Sequence, residues 1–272
     1  INNSTGKILF EDCCDILTKA FESGIITLDT AEAYGNAHQV VGNYHRLNPD
    51  NKFKVITKMP HNIEYEDVEK KIVCYLEDLN VECLEVLMFH SFDTYKINIE
   101  SLDLLLRLKR QGHIKYLGVS VYTNEQIEEL LKDDRIDVVQ LPFNLLDNER
   151  LRGELISQLK LKGKIVHTRS VFLQGLFFKD NSSANAIYKA LINELSIVNN
   201  IVKEENTTIT NLALSYCLEQ KNIDNVLIGV DTVKQLEESL KAMHYTISKK
   251  TLNKINAIKV EDKHLLNPAL WN

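Results

Sequence analysis

Short apolar runs alternate with longer amphipathic segments along the whole chain. The short runs are rich in β-branched residues and too short for helices, which is typical of buried parallel strands. The longer segments repeat apolar residues every three or four positions, which predicts helices. The predicted strands cover residues 25–29, 53–58, 84–90, 116–120, 136–140, 165–168 and 225–228. The predicted helices cover residues 10–23, 36–44, 65–79, 102–108, 124–131, 150–161, 184–220 (with a break near 206–208), 233–243 and 249–258.

Strands that alternate with helices across short connections predict an α/β fold with a parallel sheet. No strand is followed by a glycine-rich phosphate turn, and this favours a (β/α)8 TIM barrel over a doubly wound sheet. In such a barrel the chemistry lies on loops at the carboxyl ends of the strands. Polar residues or a glycine stand at those ends: Asp29, Lys58, His90, Ser120, Gln140, Arg169 and Gly229. We therefore expect one barrel domain over residues 1–272.

The strand count is one short of a closed barrel, so the first strand is missing from the pattern. Eight strands are needed, because each parallel strand must pair on both sides or leave an unpaired edge. The opening residues Ile1-Asn2-Asn3-Ser4-Thr5-Gly6 are polar and turn-like, and Ile8-Leu9-Phe10 is too short to be that strand. We expect roughly 15–25 upstream residues to complete the barrel. Without them, the sheet should be open between the strands at 25–29 and 225–228.

Composition narrows the class of protein. The chain has 272 residues, a net charge of −6 and a pI near 5.8. It has no basic stripe interleaved with aromatic residues, so nucleic-acid binding is not expected. No apolar run is long enough to predict a membrane span. Five cysteines without CxxC spacing predict reduced thiols in the cytoplasm and no metal site.

Four side chains at the first three predicted strand ends predict an acid catalyst. Asp29 ends the first strand, and Tyr34 lies in the loop after it. Lys58 and His90 end the next two strands. A tyrosine alone is a poor acid at neutral pH, but a lysine ammonium nearby favours its phenolate, and an aspartate holds that lysine charged. With a histidine donating to a substrate carbonyl, this set would protonate a carbonyl oxygen while hydride reaches the carbon.

Each of these residues also has an ordinary structural role. A lysine at a strand end is usually a solvated charge, a histidine there usually satisfies a backbone group, and an aspartate can cap the following loop. Such roles are common for single residues. The coincidence of all four at neighbouring strand ends favours catalysis over packing.

At these positions the sequence resembles the aldo/keto reductases, and the match runs over nearly the whole chain. Asp29-Thr30-Ala31-Glu32-Ala33-Tyr34-Gly35 resembles the signature that carries the catalytic aspartate and tyrosine. Thr57-Lys58 resembles the catalytic lysine segment, and Phe89-His90-Ser91 resembles the histidine segment. The resemblance implies NADPH- or NADH-dependent reduction of a small aldehyde or ketone to an alcohol, with hydride from the nicotinamide and the proton from Tyr34.

The resemblance also implies a cofactor site. Gly118-Val119-Ser120 and Val139-Gln140 are similar to the segments that hold the nicotinamide carboxamide. Residues 170–175 resemble the loop that contacts the diphosphate, and residues 235–239 resemble the start of the adenine-side helix. The implied cofactor-binding residues are Ser120, Gln140, Arg169, Ser170, Phe172, Gln174, Gly175, Gly229, Thr232, Gln235, Glu238 and Ser239.

Several residues depart from the family pattern on the cofactor side. Val121 stands where an asparagine often contacts the carboxamide, and Arg169 stands where an aromatic ring often stacks on the nicotinamide. Ser239 replaces a usual asparagine. Positions that often carry polar or cationic contacts to the 2′-phosphate of NADPH hold Gly229, Val230 and Gln235. These departures leave open the preference between NADPH and NADH.

Two other functions share parts of this pattern. A non-catalytic nucleotide-binding or regulatory protein on a reductase fold would keep the cofactor segments but need no complete tetrad. An aldolase would use Lys58 as a Schiff base, which requires a neutral lysine and is opposed by Asp29. The loops at 63–66 and 92–97 and the C-terminal tail are expected to meet the substrate, but they carry no recognisable code for it. The oligomeric state is equally open.

Overall fold

The computed structural model describes residues 8–179 and 185–271, which group into two compact units. The amino-terminal unit holds residues 8–140 and 231–233. The carboxy-terminal unit holds residues 141–179, 185–230 and 234–271. The single domain expected from the sequence stays a prediction.

The described residues contain the seven predicted strands, each within a few residues of its expected bounds. They are β1 (Thr27–Asp29), β2 (Lys54–Met59), β3 (Leu84–Phe89), β4 (Ile114–Ser120), β5 (Val138–Pro142), β6 (Ile165–Arg169) and β7 (Asn225–Val226). In the amino-terminal unit β1 to β5 lie in chain order, each parallel to the next. In the carboxy-terminal unit β6 pairs in parallel with β7. Among the described residues, β1 pairs only with β2 and β7 only with β6.

Helices separate the strands, as the periodicity predicts. They are α1 (Phe10–Glu22), α2 (Ala37–Leu47), α3 (Val68–Leu79), α4 (Phe92–Ile97), α5 (Leu102–Arg110), α6 (Asn124–Leu130), α7 (Glu149–Leu161), α8 (Ala186–Ala190), α9 (Ile192–Glu204), α10 (Ile209–Leu218), α11 (Val233–Ala242) and α12 (Lys249–Asn256). The expected break near 206–208 lies between α9 and α10. A second break, at Leu191, was not expected, so the described part of this region holds three helices rather than two. The predictions that concern residues 1–6 and Ala184 fall outside the described residues.

One helix was not predicted. Residues 92–97 were expected to be a loop, and they form α4 instead. Ser91 caps this helix, because its side chain accepts a hydrogen bond from the backbone amide of Thr94. A helix of six residues is too short to show an apolar period, so the sequence pattern missed it.

The sheet of the amino-terminal unit is buried under closely packed helices. The central strands are apolar along most of their length, and Val55, Ile56 and Met59 of β2 are fully buried. On the outside, α2 meets α3 at Gly42, where a Cβ atom would lie 1.7 Å from the carbonyl oxygen of Asp78. Only glycine allows the two backbones to approach so closely. This close packing covers the outside of the sheet, whose strands carry the candidate site residues at their ends.

A buried histidine joins three elements of this core. Nδ1 of His45, on α2, lies 2.8 Å from the Leu79 carbonyl oxygen at the end of α3, and Nε2 accepts a hydrogen bond of 3.1 Å from the Phe53 amide. A ring that donates at one nitrogen and accepts at the other is neutral. Burial lowers the pKa of His45, although the bond to Leu79 opposes this effect.

This histidine should make the fold less stable in acid. The lowered pKa means that below about pH 6.5 the unfolded chain binds a proton that the folded chain does not, so stability falls as the pH falls. We expect the difference in free energy of unfolding between the wild type and His45→Gln to shrink from about pH 7.5 to about pH 5. Urea unfolding at both values measures it. The exposed His264→Gln is the control, and a constant difference for His45→Gln would contradict the prediction.

Candidate active site

The residues predicted to form the acid catalyst lie together at one edge of the sheet in the amino-terminal unit. Asp29 is the last residue of β1 and pairs in register with Ile56 of β2. Lys58 lies two residues further along β2 and pairs with Met88 of β3. His90 follows β3 directly. Since the strands are parallel and in register, their carboxyl ends bring these side chains to one place.

A buried ion pair forms the centre of the site. The Lys58 ammonium donates to Oδ1 of Asp29 and, at 2.9 Å, to the carbonyl oxygen of Thr30. The lysine side chain is only 3% exposed and the aspartate 16%. A charge so far from water is stable only when it is paired and hydrogen-bonded. The carboxylate of Asp29 therefore holds Lys58 in its charged form.

Tyr34 lies against this ion pair. The turn after β1 positions it, since its amide donates to the carbonyl oxygen of Ala31 at 3.0 Å. The Lys58 ammonium is 5.2 Å from the centroid of the Tyr34 ring. The ring of His90 meets the Tyr34 ring edge to face, with centroids 5.9 Å apart. The tyrosine ring is therefore near both a cation and an imidazole.

Gln140 makes a contact that the sequence did not predict. Its amide nitrogen donates to Oδ2 of Asp29 at 2.6 Å and lies 3.6 Å from the sulfur of Met88. The side chain is buried beside Ser120, its partner in the register of β4 and β5. Both residues were expected from the resemblance to hold the nicotinamide carboxamide. The structure shows Gln140 in contact with the carboxylate that pairs with Lys58.

A second missed residue, Glu32, anchors the loop that carries Tyr34. Its carboxylate accepts hydrogen bonds from Lys71, at 2.8 Å, and from the hydroxyl of Tyr75, both on α3. Burial opposes the charged form, but these two hydrogen bonds outweigh it and lower the pKa of Glu32. The loop is therefore tied to a helix on one side and to the Lys58 ion pair on the other.

The predicted diphosphate loop follows β6 in the carboxy-terminal unit. Four of its residues have left-handed backbones, namely Ser170 (φ 62°), Leu173 (φ 45°), Gln174 (φ 53°) and Gly175 (φ 79°). The amides of Leu173 and Gly175 donate within the loop, to the carbonyl oxygens of Ser170 and Phe172, both at 2.9 Å. Turns of this kind can direct the other amide N–H groups toward an anion. The Arg169 guanidinium donates to the hydroxyl of Ser170 at 3.2 Å and adds a cation there. The donor set fits a diphosphate.

The remaining predicted cofactor residues have different surroundings. Phe172 packs against Phe178, with ring centroids 5.3 Å apart. Ser239 is buried in α11 and donates its hydroxyl proton to the carbonyl oxygen of Gln235 at 2.9 Å, so this proton is used within the helix. The other residues of this set are exposed: Gly229, Thr232, Gln235 and Glu238.

In the part of the chain that the structure describes, no helix is long and apolar enough to cross a membrane. The same residues include no group of three or more histidine, cysteine, aspartate or glutamate side chains placed to hold a metal ion.

Comparison with known proteins agrees with the geometry. The sequence model of the Aldo/keto reductase family matches residues 1–260. The chain belongs to the aldo/keto reductase family. It is 23% identical to the NADH-specific methylglyoxal reductase of Escherichia coli K12, over 87% of this chain and 84% of that protein. It is 24% identical to the L-galactose dehydrogenase of Arabidopsis thaliana, over 97% and 89%.

Solved structures show the same fold. An aldo-keto reductase from Bacillus halodurans, in its holo form, matches with a TM-score of 0.80 at 19% identity, covering 94% of this chain and 91% of that chain. The glycerol dehydrogenase of Gluconobacter oxydans matches with a TM-score of 0.76 at 18% identity, over 95% and 87%. The predicted (β/α)8 fold class is thereby confirmed. The family likewise confirms an NAD(P)H-dependent oxidoreductase that uses NADPH or NADH.

Proposed function

We propose that this aldo/keto reductase reduces an aldehyde or ketone to an alcohol, with Tyr34 as the proton donor. The observation that carries the proposal is the buried Lys58 ammonium, which is paired with Asp29 and lies against the ring of Tyr34. A neighbouring cation stabilises a phenolate, which is what remains after the tyrosine gives up its proton. His90, whose ring packs edge to face with the same ring, would donate a hydrogen bond to the substrate oxygen.

The proton path uses only residues of this chain. The substrate carbonyl oxygen accepts the phenolic proton of Tyr34 while its carbon accepts hydride, so one proton and one hydride give the alcohol. Lys58 balances the charge left on the phenolate oxygen, and Asp29 keeps Lys58 charged. Gln140 fixes the second oxygen of Asp29. This preorganised charge is already in place before the reaction, so little reorganisation is needed.

NADPH or NADH, when bound, supplies the hydride. We propose that Ser120 and Gln140 hold the nicotinamide carboxamide. The loop after β6 would bind the diphosphate through Arg169, Ser170, Phe172, Gln174 and Gly175; the left-handed backbone of four residues there and the guanidinium of Arg169 support this proposal. The adenosine side would be bound by Gly229, Thr232, Gln235, Glu238 and Ser239.

Purified protein tests the proposed function directly. Thermal shift with NADPH and with NADH should show nucleotide binding, and an aldehyde panel should then show oxidation of the bound nucleotide. Binding without turnover of any aldehyde or ketone would instead support the non-catalytic, regulatory alternative.

We also propose that the protein is located in the cytoplasm. The cysteines of the described chain are free thiols, which is typical of proteins in a reducing compartment.

The aldolase alternative makes a separate prediction. A Schiff base requires a neutral lysine, and the ion pair of Lys58 with Asp29 favours the ammonium, which cannot attack a carbonyl. Treatment with a carbonyl substrate and borohydride should therefore leave the intact mass unchanged. An added substrate mass that disappears in a Lys58→Met variant would favour the aldolase.

We predict weak discrimination between NADPH and NADH. A 2′-phosphate site normally supplies charge-assisted hydrogen bonds of roughly 1.5–3 kcal/mol each. After β7 the chain offers neutral Gly229 and Val230 and then Asp231, which opposes a phosphate, and the exposed Lys234 is the cation that follows. The relative from Escherichia coli named above is NADH-specific, so a strong preference for NADPH is not shared by all relatives of this chain.

Fluorescence titration with both nucleotides measures the preference. The Lys234→Met variant should weaken NADPH binding more than NADH binding, while Lys241→Met, a change of the same charge at the other end of α11, should affect neither. A preference of the wild type for NADPH above about a hundredfold would reveal a phosphate pocket and contradict the prediction.

A further inference from the structure

An exposed histidine near the candidate site is hydrogen-bonded to α4, the helix that begins two residues after His90. His61 follows β2 by two residues, and its Nδ1 lies 2.9 Å from the hydroxyl of Thr94 on α4. The side-chain amide of Asn98 donates to the carbonyl oxygen of His61 at 3.1 Å. Both the ring and the backbone of this histidine are therefore held by α4.

The residues of α4 that hold His61 are buried, and α4 is hydrogen-bonded to a neighbouring segment. Thr94 and Asn98 are buried, at 1% and 3% exposure. The hydroxyl of Tyr95 donates to Asp133 at 2.7 Å, which ties α4 to the segment after α6. The binding groups of Thr94 and Asn98 therefore have defined positions, and so does the imidazole they hold.

The hydroxyls of Ser91 and Thr94 and Nδ1 of His61 form a continuous chain of hydrogen-bonded groups. The Thr94 amide donates to Oγ of Ser91 at 3.0 Å, and the two hydroxyls lie 2.9 Å apart. In one arrangement that uses every contact, Ser91 donates its hydroxyl proton to Thr94, and Thr94 donates its own to Nδ1 of His61. The ring then carries its proton on Nε2. An exposed imidazole held at Nδ1 presents that Nε2–H as a donor for a ligand.

His61 and its support lie close in sequence to the proposed catalytic residues. It lies three residues after Lys58, and Ser91 is the residue directly after His90. The register pairs Met59 with Phe89, so the two strands deliver the segments of His61 and Ser91 to the same edge of the sheet. A substrate whose carbonyl is bound between Tyr34 and His90 would extend from that edge.

We propose that His61 is a specificity-determining residue, which donates a hydrogen bond from Nε2 to a hydroxyl group of the substrate near the reacting carbonyl. Thr94 is its positioning residue. The reductase would then favour hydroxylated aldehydes over unsubstituted alkyl aldehydes of equal length. This inference rests on the proposed function of the same site.

Two variants of His61 distinguish the hydrogen bond to the substrate from the hydrogen bond to Thr94. In His61→Asn the amide reaches the position of Nδ1, so it can keep the bond to Thr94 but loses the outward donor. In His61→Gln the amide reaches the position of Nε2 and keeps an outward donor. The probes are D-glyceraldehyde and propanal, which have the same carbon chain and differ by two hydroxyl groups. Steady-state kcat/KM is measured for both probes at saturating nucleotide.

We expect His61→Asn to lower kcat/KM about five- to tenfold for D-glyceraldehyde, mainly through KM, and to leave propanal unchanged. His61→Gln should keep most of the selectivity. Thr94→Val should reproduce the selective loss, and Thr94→Ser, which keeps the hydroxyl, should restore the wild-type ratio. Equal losses on both aldehydes would show a purely structural role, and no loss on either would show no role; both overturn the proposal. If the wild type reduces neither probe nor any other carbonyl, the proposed function itself fails instead.

Discussion

Replacing Tyr34 with phenylalanine should abolish carbonyl reduction and leave nucleotide affinity nearly unchanged. The hydroxyl is the only part that the substitution removes, and that hydroxyl is the proposed proton source. Lost general-acid catalysis should lower kcat on the order of 10²–10⁴-fold. Steady-state turnover together with fluorescence titration of the nucleotide measures both effects. Turnover within about threefold of the wild type would overturn the assignment of Tyr34.

The chain contains a matched control for this experiment. Tyr116 also has a lysine ammonium on its ring, since Nζ of Lys115 is 5.0 Å from the ring centroid. That pair lies near the start of β4, at the opposite strand end from the site. Tyr116→Phe should therefore leave turnover unchanged. Lys58→Met should behave like Tyr34→Phe, because it removes the charge that stabilises the phenolate.

Replacing Arg152 with methionine should destabilise the carboxy-terminal unit by about 3–5 kcal/mol. The guanidinium of Arg152, on α7, donates to both oxygens of Asp147, at 2.5 and 2.9 Å, and neither residue is more than 4% exposed. Burial raises the pKa of Asp147, and Arg152 opposes that effect. Removing the arginine leaves a buried carboxylate without its hydrogen-bonded cation, since Arg169 and Lys263 act on it only as nearby charges, and this is the costly way to break a buried pair.

Urea unfolding monitored by circular dichroism measures this loss. The double variant Asp147→Asn, Arg152→Met should recover much of the stability, because no buried charge then remains. Arg107→Met is the matched control. Its partner is Glu69, both side chains are about half exposed, and such surface pairs contribute about 1 kcal/mol or less. A cost below about 1 kcal/mol for Arg152→Met would contradict the account of a buried pair.

The periodicity of the sequence predicted the strands and helices well, because burial imposes a regular spacing on apolar residues. The same logic predicted that Asp29, Lys58 and His90 would meet, since parallel strands end at one edge. The short helix α4 escaped detection, because its start depends on the Ser91 cap rather than on an apolar period. The boundaries of β5 and β7 shifted by two residues for a similar reason, as hydrogen bonds rather than hydrophobicity set where a strand ends.

By itself, then, the sequence determined the parallel α/β class and the edge at which the chemistry would lie, since both depend on patterns local to each element. Only the tertiary structure decided the partners of the polar side chains. Gln140 reaches Asp29 across 111 residues of chain, and Glu32 reaches Tyr75 across 43. The link from His61 to Thr94 is of the same kind, since the two residues are 33 positions apart. A side chain that leaves water must find a hydrogen-bond partner, but which partner it finds depends on which elements the fold brings side by side.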